Sequence, residues 1–106
     1  MGWIANVLAA QIRADGRPMT LRRQGLVDLP VMGVAHAYQP AELIGGIMQG
    51  DMRAKLRTAE MAAAAWPSPP RKPDTLAIEG RSYVIQGATA IHEGQAIIGW
   101  SLWLRG

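Results

Sequence analysis

The groups in this chain that could do chemistry are eight carboxylates and two imidazoles, and they are dispersed. Asp15, Asp28, Glu42, Asp51, Glu60, Asp74, Glu79 and Glu93 fall mostly at turn and cap positions, where acids ordinarily serve the backbone. His36 and His92 stand far apart, and no acidic cluster at metal-ligand spacing accompanies either. A lone histidine on a strand is far more often a packed or surface residue than a ligand. Cysteine is absent, which excludes a disulfide scaffold and any thiolate metal site. The stretch GGIMQGD lacks the lysine of a phosphate-binding loop and the glycine spacing of a dinucleotide site. HExxH and a nucleophile elbow are also missing. The expectation is a protein without catalytic residues or cofactor that works by binding.

Charge narrows the partners only a little. Eleven Lys and Arg against eight acids give a net charge of +3. The basic residues gather as Arg17/Arg22/Arg23, as Lys55/Arg57, and as Arg71-Lys72 beside prolines. A solvated face explains clusters of this size more often than a nucleic-acid groove does. The opening MGWIANVLAAQIR has no early basic residue and no long apolar run, so no signal peptide is expected. No apolar stretch approaches the ~20 residues of a membrane span. A soluble protein made in the cytoplasm is expected, with no membrane partner. The length of 106 residues suits one domain, and 49% hydrophobic residues suit a packed core.

The element that organises this material is Pro73–Gly87, PDTLAIEGRSYVIQG. Glu79-Gly80 reads as a two-residue hairpin turn. It pairs Ile78 with Arg81, Ala77 with Ser82, Leu76 with Tyr83 and Thr75 with Val84. Side chains alternate across a strand, so Leu76, Ile78, Tyr83 and Ile85 share a core face. A one-residue slip would scramble that division, so the register is specified.

The other elements follow in order. Trp3, Ile4, Val7, Leu8 and Ile12 recur at helical spacing over residues 3–14, and Asp15-Gly16 stops the helix. Its apolar face must dock on its own domain or on a neighbouring subunit. RPMTLRR (17–23) alternates as a strand with one wet face. Val31–Tyr38 is a second strand, where Gly33 marks a bulge or a close backbone approach. Glu42–Asp51 has two readings: a bent strand with Leu43, Ile44, Ile47 and Met48 inside, or a flexible loop over 42–52 whose apolar residues await a partner. MRAKLR (52–57) sets Met52, Ala54 and Leu56 against Arg53, Lys55 and Arg57, a half-buried pattern that would suit an exposed edge. Thr58 is placed to cap the Ala-rich turn AEMAAAAW. After the hairpin, 88–91 continues a strand, His92-Glu93-Gly94 turns, and 95–105 returns with bulk on both faces. Trp100 belongs to the core, whereas Trp103, beside Ser101 and Arg105, is an interface candidate. The whole predicts a mainly β domain: a small antiparallel barrel or sandwich of six or seven strands, an N-terminal helix over 1–16 and a short Ala-rich helix.

In this order the features resemble a known family. Gln49-Gly50-Asp51 precedes the basic strand MRAKLR and a short Ala-rich helix; a proline connection leads to PDTLAIEGRSYVIQGA, and a last strand ends in LWLRG. This resembles the small head–tail joining (head completion, or head closure) proteins of long-tailed bacteriophages and prophages, over residues 17–106. The resemblance implies a compact β-barrel that is monomeric when free and self-associates into a ring on assembly. Its implied place is the virion's head–tail junction, near DNA, between the portal-adaptor proteins and the tail terminator. It also implies that the loop over 42–52 is flexible until assembly. The partner-binding residues expected on this reading are Leu43, Ile44, Ile47, Met48, Arg53, Lys55, Arg57 and Trp103. The rival readings are a tail terminator or minor tail protein, a small oligonucleotide-binding barrel, and an enzyme with a site built between subunits.

Overall fold

The computed structural model describes residues 2–42, 45–66 and 69–106. The first helix, α1 (Trp3–Asp15), forms because Leu8 and Ile12 lie one turn apart and both become buried. Its Gly16 N–H closes onto the Ile12 carbonyl, and Arg13 sits in the last turn at the negative end of the helix dipole. At the other end, Glu93 Oε1 accepts the Ala5 N–H at 2.9 Å, so a carboxylate from the barrel satisfies one of the helix's free donors. The helix therefore docks on its own domain. Trp3 and Val7 point away and stay exposed.

Six strands follow: β1 (Arg17–Arg22), β2 (Leu29–Ala37), β3 (Met52–Arg57), β4 (Thr75–Ile78), β5 (Arg81–Glu93) and β6 (Ala96–Arg105). A 3-10 turn, Pro40–Glu42, leaves β2, and a short helix, α2 (Thr58–Ala63), follows β3. The strands form a closed antiparallel barrel in the order β1-β2-β3-β6-β5-β4, with β1 pairing back onto β4. Alternation then divides the residues. Leu21, Leu56, Leu76, Ile85, Leu102 and Leu104 are fully buried in the interior, together with Met19, Val31, Ala54 and Tyr83.

The central hairpin pairs Ile78 with Arg81, Ala77 with Ser82, Leu76 with Tyr83 and Thr75 with Val84, the register its sequence dictates. Both turn residues are left-handed, Glu79 at φ 51° and Gly80 at φ 80°, as a twist-matched hairpin turn requires. Gly33 is a close approach. A Cβ there would lie 2.6 Å from Leu56 Cδ2 and 2.9 Å from the Lys55 carbonyl oxygen, so β2 and β3 can pack only if position 33 is empty.

Three expectations need correction. First, β3 is not an edge, because β2 and β6 pair on either side of it and closure removes every edge. Second, Thr58 does not cap α2; its hydroxyl donates to the Ile97 carbonyl at 3.3 Å, tying the helix to β6. Third, β5 does not turn at His92. It runs 13 residues to Glu93, with register shifts at Ile85/Gly87 and Ile91/His92 that let so long a strand coil around the barrel. Leu43 and Ile44 lie outside the described residues. Across the rest of 42–51 there is no strand, only turns, so the bent-strand reading does not hold there.

The Gly33 contact gives a direct test of packing. Position 33 does not need a left-handed backbone, so Gly33→Ala reports overpacking alone. It is expected to lower stability by about 1–3 kcal/mol, read as a fall in the urea midpoint with unchanged slope.

Candidate functional site

The outer wall of the barrel and the connection between β2 and β3 hold every described residue expected to bind a partner. Register lines up the outward side chains in rows across the sheet. His36, Arg53 and Trp103 face one another on β2, β3 and β6, as do Val34, Lys55 and Ser101 in the next row. The row carrying Arg57 meets Gly99. There α1 covers the wall, because the space beside Gly99 is filled by Leu8.

The basic row is largely neutralised. Arg53 pairs with Glu42 at 3.1 Å, and its guanidinium carbon lies 4.9 Å from the centre of the Tyr38 ring. Glu42 is held below its usual range by the Gln39 N–H that it accepts, with the Arg53 charge adding to this. Arg57 pairs with Glu60 at 3.4 Å, one helical turn into α2. Lys55 makes no ion pair among the described residues. The strand's three cations therefore do not act as one electropositive stripe.

Trp103 is not a free aromatic. Its indole N–H donates to Asp51 Oδ2 at 2.7 Å, and the ring packs against Gly46 and Gly87. Asp51 is the centre of a network that sequence reasoning missed. Its side chain is 3% exposed, and it accepts from Trp103, from Arg105 Nε and Nη2 at 3.1 and 3.0 Å, and from the Met48 N–H at 2.9 Å. Arg105 also donates to the Gly46 carbonyl at 2.9 Å. Hydrogen bonds from Arg105 hold the Asp51 carboxyl far below the usual carboxylate range, against the opposing effect of burial; Met48 and Trp103 add to the depression. The connection is thus braced at both ends, by Arg53 on Glu42 and by Arg105 on Gly46 and Asp51. Met48 stands out from it at 58% exposure, and Ile47 beside it is half-buried.

Asp74 repeats the device at the other end of the barrel. It accepts Arg23 Nε at 2.9 Å and Nη2 at 2.6 Å, together with the Arg71 N–H at 3.0 Å. Arg23 also donates to the Pro69 carbonyl and lies over Trp66. The signal for both sites was in the sequence: an aspartate after Gly or Pro, directly before an alternating strand. What local pattern could not give was the arginine partner, more than fifty residues away in each case. Among the described residues no three His, Asp or Glu side chains gather at a metal-binding site. Each of the two buried carboxylates accepts charge-assisted hydrogen bonds from an arginine together with a backbone N–H. No helix among the described residues is long and apolar enough to cross a membrane.

No family model matches the chain, and no curated protein matches it.

The Asp51 network predicts a pH dependence. Its folded-state pKa is depressed, so its contribution is fully present above the unfolded value of about 4 and is lost as pH falls through the folded value. Asp51→Asn is expected to cost about 1–3 kcal/mol at neutral pH. The gap from wild type should narrow steadily in urea titrations below about pH 4. A gap that stayed constant into acid would remove Asp51 as the source.

Proposed function

We propose that this protein is a structural component of a long-tailed bacteriophage or prophage that completes the head–tail connector. In that role it closes the DNA-filled head and offers the surface to which the tail attaches. The observation that carries the reading is a rigid barrel whose two ends both present braced loops. At one end the β2–β3 connection is held by Arg53 and Arg105 and offers Met48. At the other, the β1–β2 loop is held by Arg23 on Asp74 and offers Val27. A protein that joins two bodies needs two separate surfaces held at a fixed spacing, and a closed barrel supplies that without moving parts. Rows of modest contacts multiplied around a ring of copies would give avidity that one copy lacks. The ordered sequence features that resemble head–tail joining proteins support the same reading. Its partners would be the portal-adaptor proteins on one side and the tail terminator on the other.

The test is assembly complementation. Deleting the gene from its phage or prophage should yield lysates of filled heads and separate finished tails, which purified protein then joins. The variant Ile47→Ser/Met48→Ser should keep its stability within about 0.5 kcal/mol, since these side chains lie outside the core, yet join heads to tails poorly. Normal virions made without the gene would overturn the reading. Heads joined to tails of abnormal length would favour a tail terminator instead.

A further inference from the structure

Charge and exposure together single out the end of the barrel formed by the β1–β2 loop, α2 and the connection into β4. Among the described residues ion pairs join Arg17 to Glu79, Arg22 to Asp28, Arg23 to Asp74, Arg53 to Glu42, Arg57 to Glu60 and Arg105 to Asp51. The cations outside these pairs are Arg13, Lys55, Arg71, Lys72 and Arg81, and the carboxylates outside them are Asp15 and Glu93. Neither carboxylate answers Arg71 and Lys72. Asp15 lines a groove with Arg17 and Lys55, and Glu93 holds the N-terminus of α1. Among the described residues, Arg71 and Lys72 are the only adjacent pair of cations outside these ion pairs, and both are exposed.

The same end carries the most solvent-exposed of the large hydrophobic residues among those described. Val27, at the tip of the β1–β2 loop, is 89% exposed, and its neighbour Leu26 is 37% exposed. These two line an open, mostly apolar cleft with Leu29, Ala65 and Trp66 beyond the end of α2; Asp28 also lines it, and its carboxylate is paired with Arg22. The β1–β2 loop stands between this cleft and a second one lined by Arg22 and Arg71. Arg23 fixes the arrangement, since its guanidinium lies over Trp66 and is held by Asp74, which in turn accepts the Arg71 N–H. The result is an apolar slot beside a cationic rim, both held on a rigid base.

We propose that this end of the barrel is a docking surface for an acidic segment of another protein that carries an apolar anchor residue. The anchor enters between Val27 and Trp66, and the segment's carboxylates face Arg71 and Lys72. Charge complementarity argues for this occupant over a second copy of the chain. Among the described residues, a copy's carboxylates outside ion pairs are Asp15, which shares its groove with Arg17 and Lys55, and Glu93, which holds the N-terminus of α1. The surface is inferred from exposure and charge alone and does not depend on the phage reading.

The test is selection of a random peptide library on the immobilised full chain, followed by fluorescence-polarisation titration of the enriched peptides. The expected consensus combines several Asp or Glu with one large apolar residue. Arg71→Glu/Lys72→Glu should weaken binding by about tenfold or more, and Val27→Asp should do the same. Both substitutions alter exposed side chains, so thermal melts should match wild type. Affinity should also fall with added salt. No enrichment, a neutral or basic consensus, or peptides that bind the variants as well as wild type would each overturn the proposal. Two further results would also overturn it, by assigning the surface to another occupant. One is self-association in sedimentation equilibrium that Val27→Asp abolishes. The other is Val27-dependent co-sedimentation with phosphatidylserine vesicles. A failure here leaves the complementation experiment untouched, so the two readings fail separately.

Discussion

The pairing of β1 with β4 closes the sheet, and the remaining architecture answers to that closure. A six-stranded barrel encloses so little volume that one face of each strand must fill it with side chains. Leu21, Leu56, Leu76, Ile85, Leu102 and Leu104 do so, and small residues make room where strands crowd. Gly33 faces Leu56, and Ala35 faces Ala54, which faces Leu102. Closure also uses the ladder donors and acceptors on both sides of every strand, so no strand is left to recruit another by edge pairing. Recognition is therefore confined to the outer wall and the connections at the two ends.

Those ends are where the barrel places its buried charges. Asp51 stands one residue before β3 and Asp74 one residue before β4. Each accepts the N–H of the residue three positions earlier, and each donates its own N–H to that residue's carbonyl. Each then takes an arginine from a distant part of the barrel, Arg105 at the end of β6 or Arg23 just past β1. Removing a carboxylate from water is costly, and charge-assisted hydrogen bonds from several donors offset that cost. The outcome is specific geometry: each pair fixes where a connection enters the sheet.

How much of this could be read from the sequence depended on the range of the interaction. The hairpin register was legible because turn type and a period of two are local, and Leu76, Ile78, Tyr83 and Ile85 had one consistent way to face inward. The first helix was legible for the same reason, through Leu8 and Ile12. The edge assignment for β3 failed because alternation of Arg53, Lys55 and Arg57 with apolar residues says that one face is wet, not how many neighbours the strand has. The state of the 42–52 loop was illegible because its bracing comes from Arg105 and Trp103, at the far end of the chain. Its three glycines, all left-handed at φ 61°, 92° and 95°, read locally as freedom. In the fold, Gly46 gives its carbonyl to Arg105 and leaves room for the Trp103 ring.

That last contrast changes what the QGD and LWLRG motifs mean. QGD and the terminal LWLRG are separated by most of the sequence, yet Asp51 from one is bound by Trp103 and Arg105 from the other. Residues that looked like a binding loop and an interface tryptophan are first of all partners of each other. The Met48 backbone N–H is tied to Asp51 while its side chain stays exposed, so the apolar group is presented at a set position. A loop pre-ordered in this way loses less entropy when it meets a surface than one that must fold on contact. The same holds at the opposite end, where Arg23 and Asp74 set the base beneath Val27. Two exposed apolar side chains, Met48 and Val27, thus stand at opposite ends of a closed barrel, each near a buried aspartate held by an arginine.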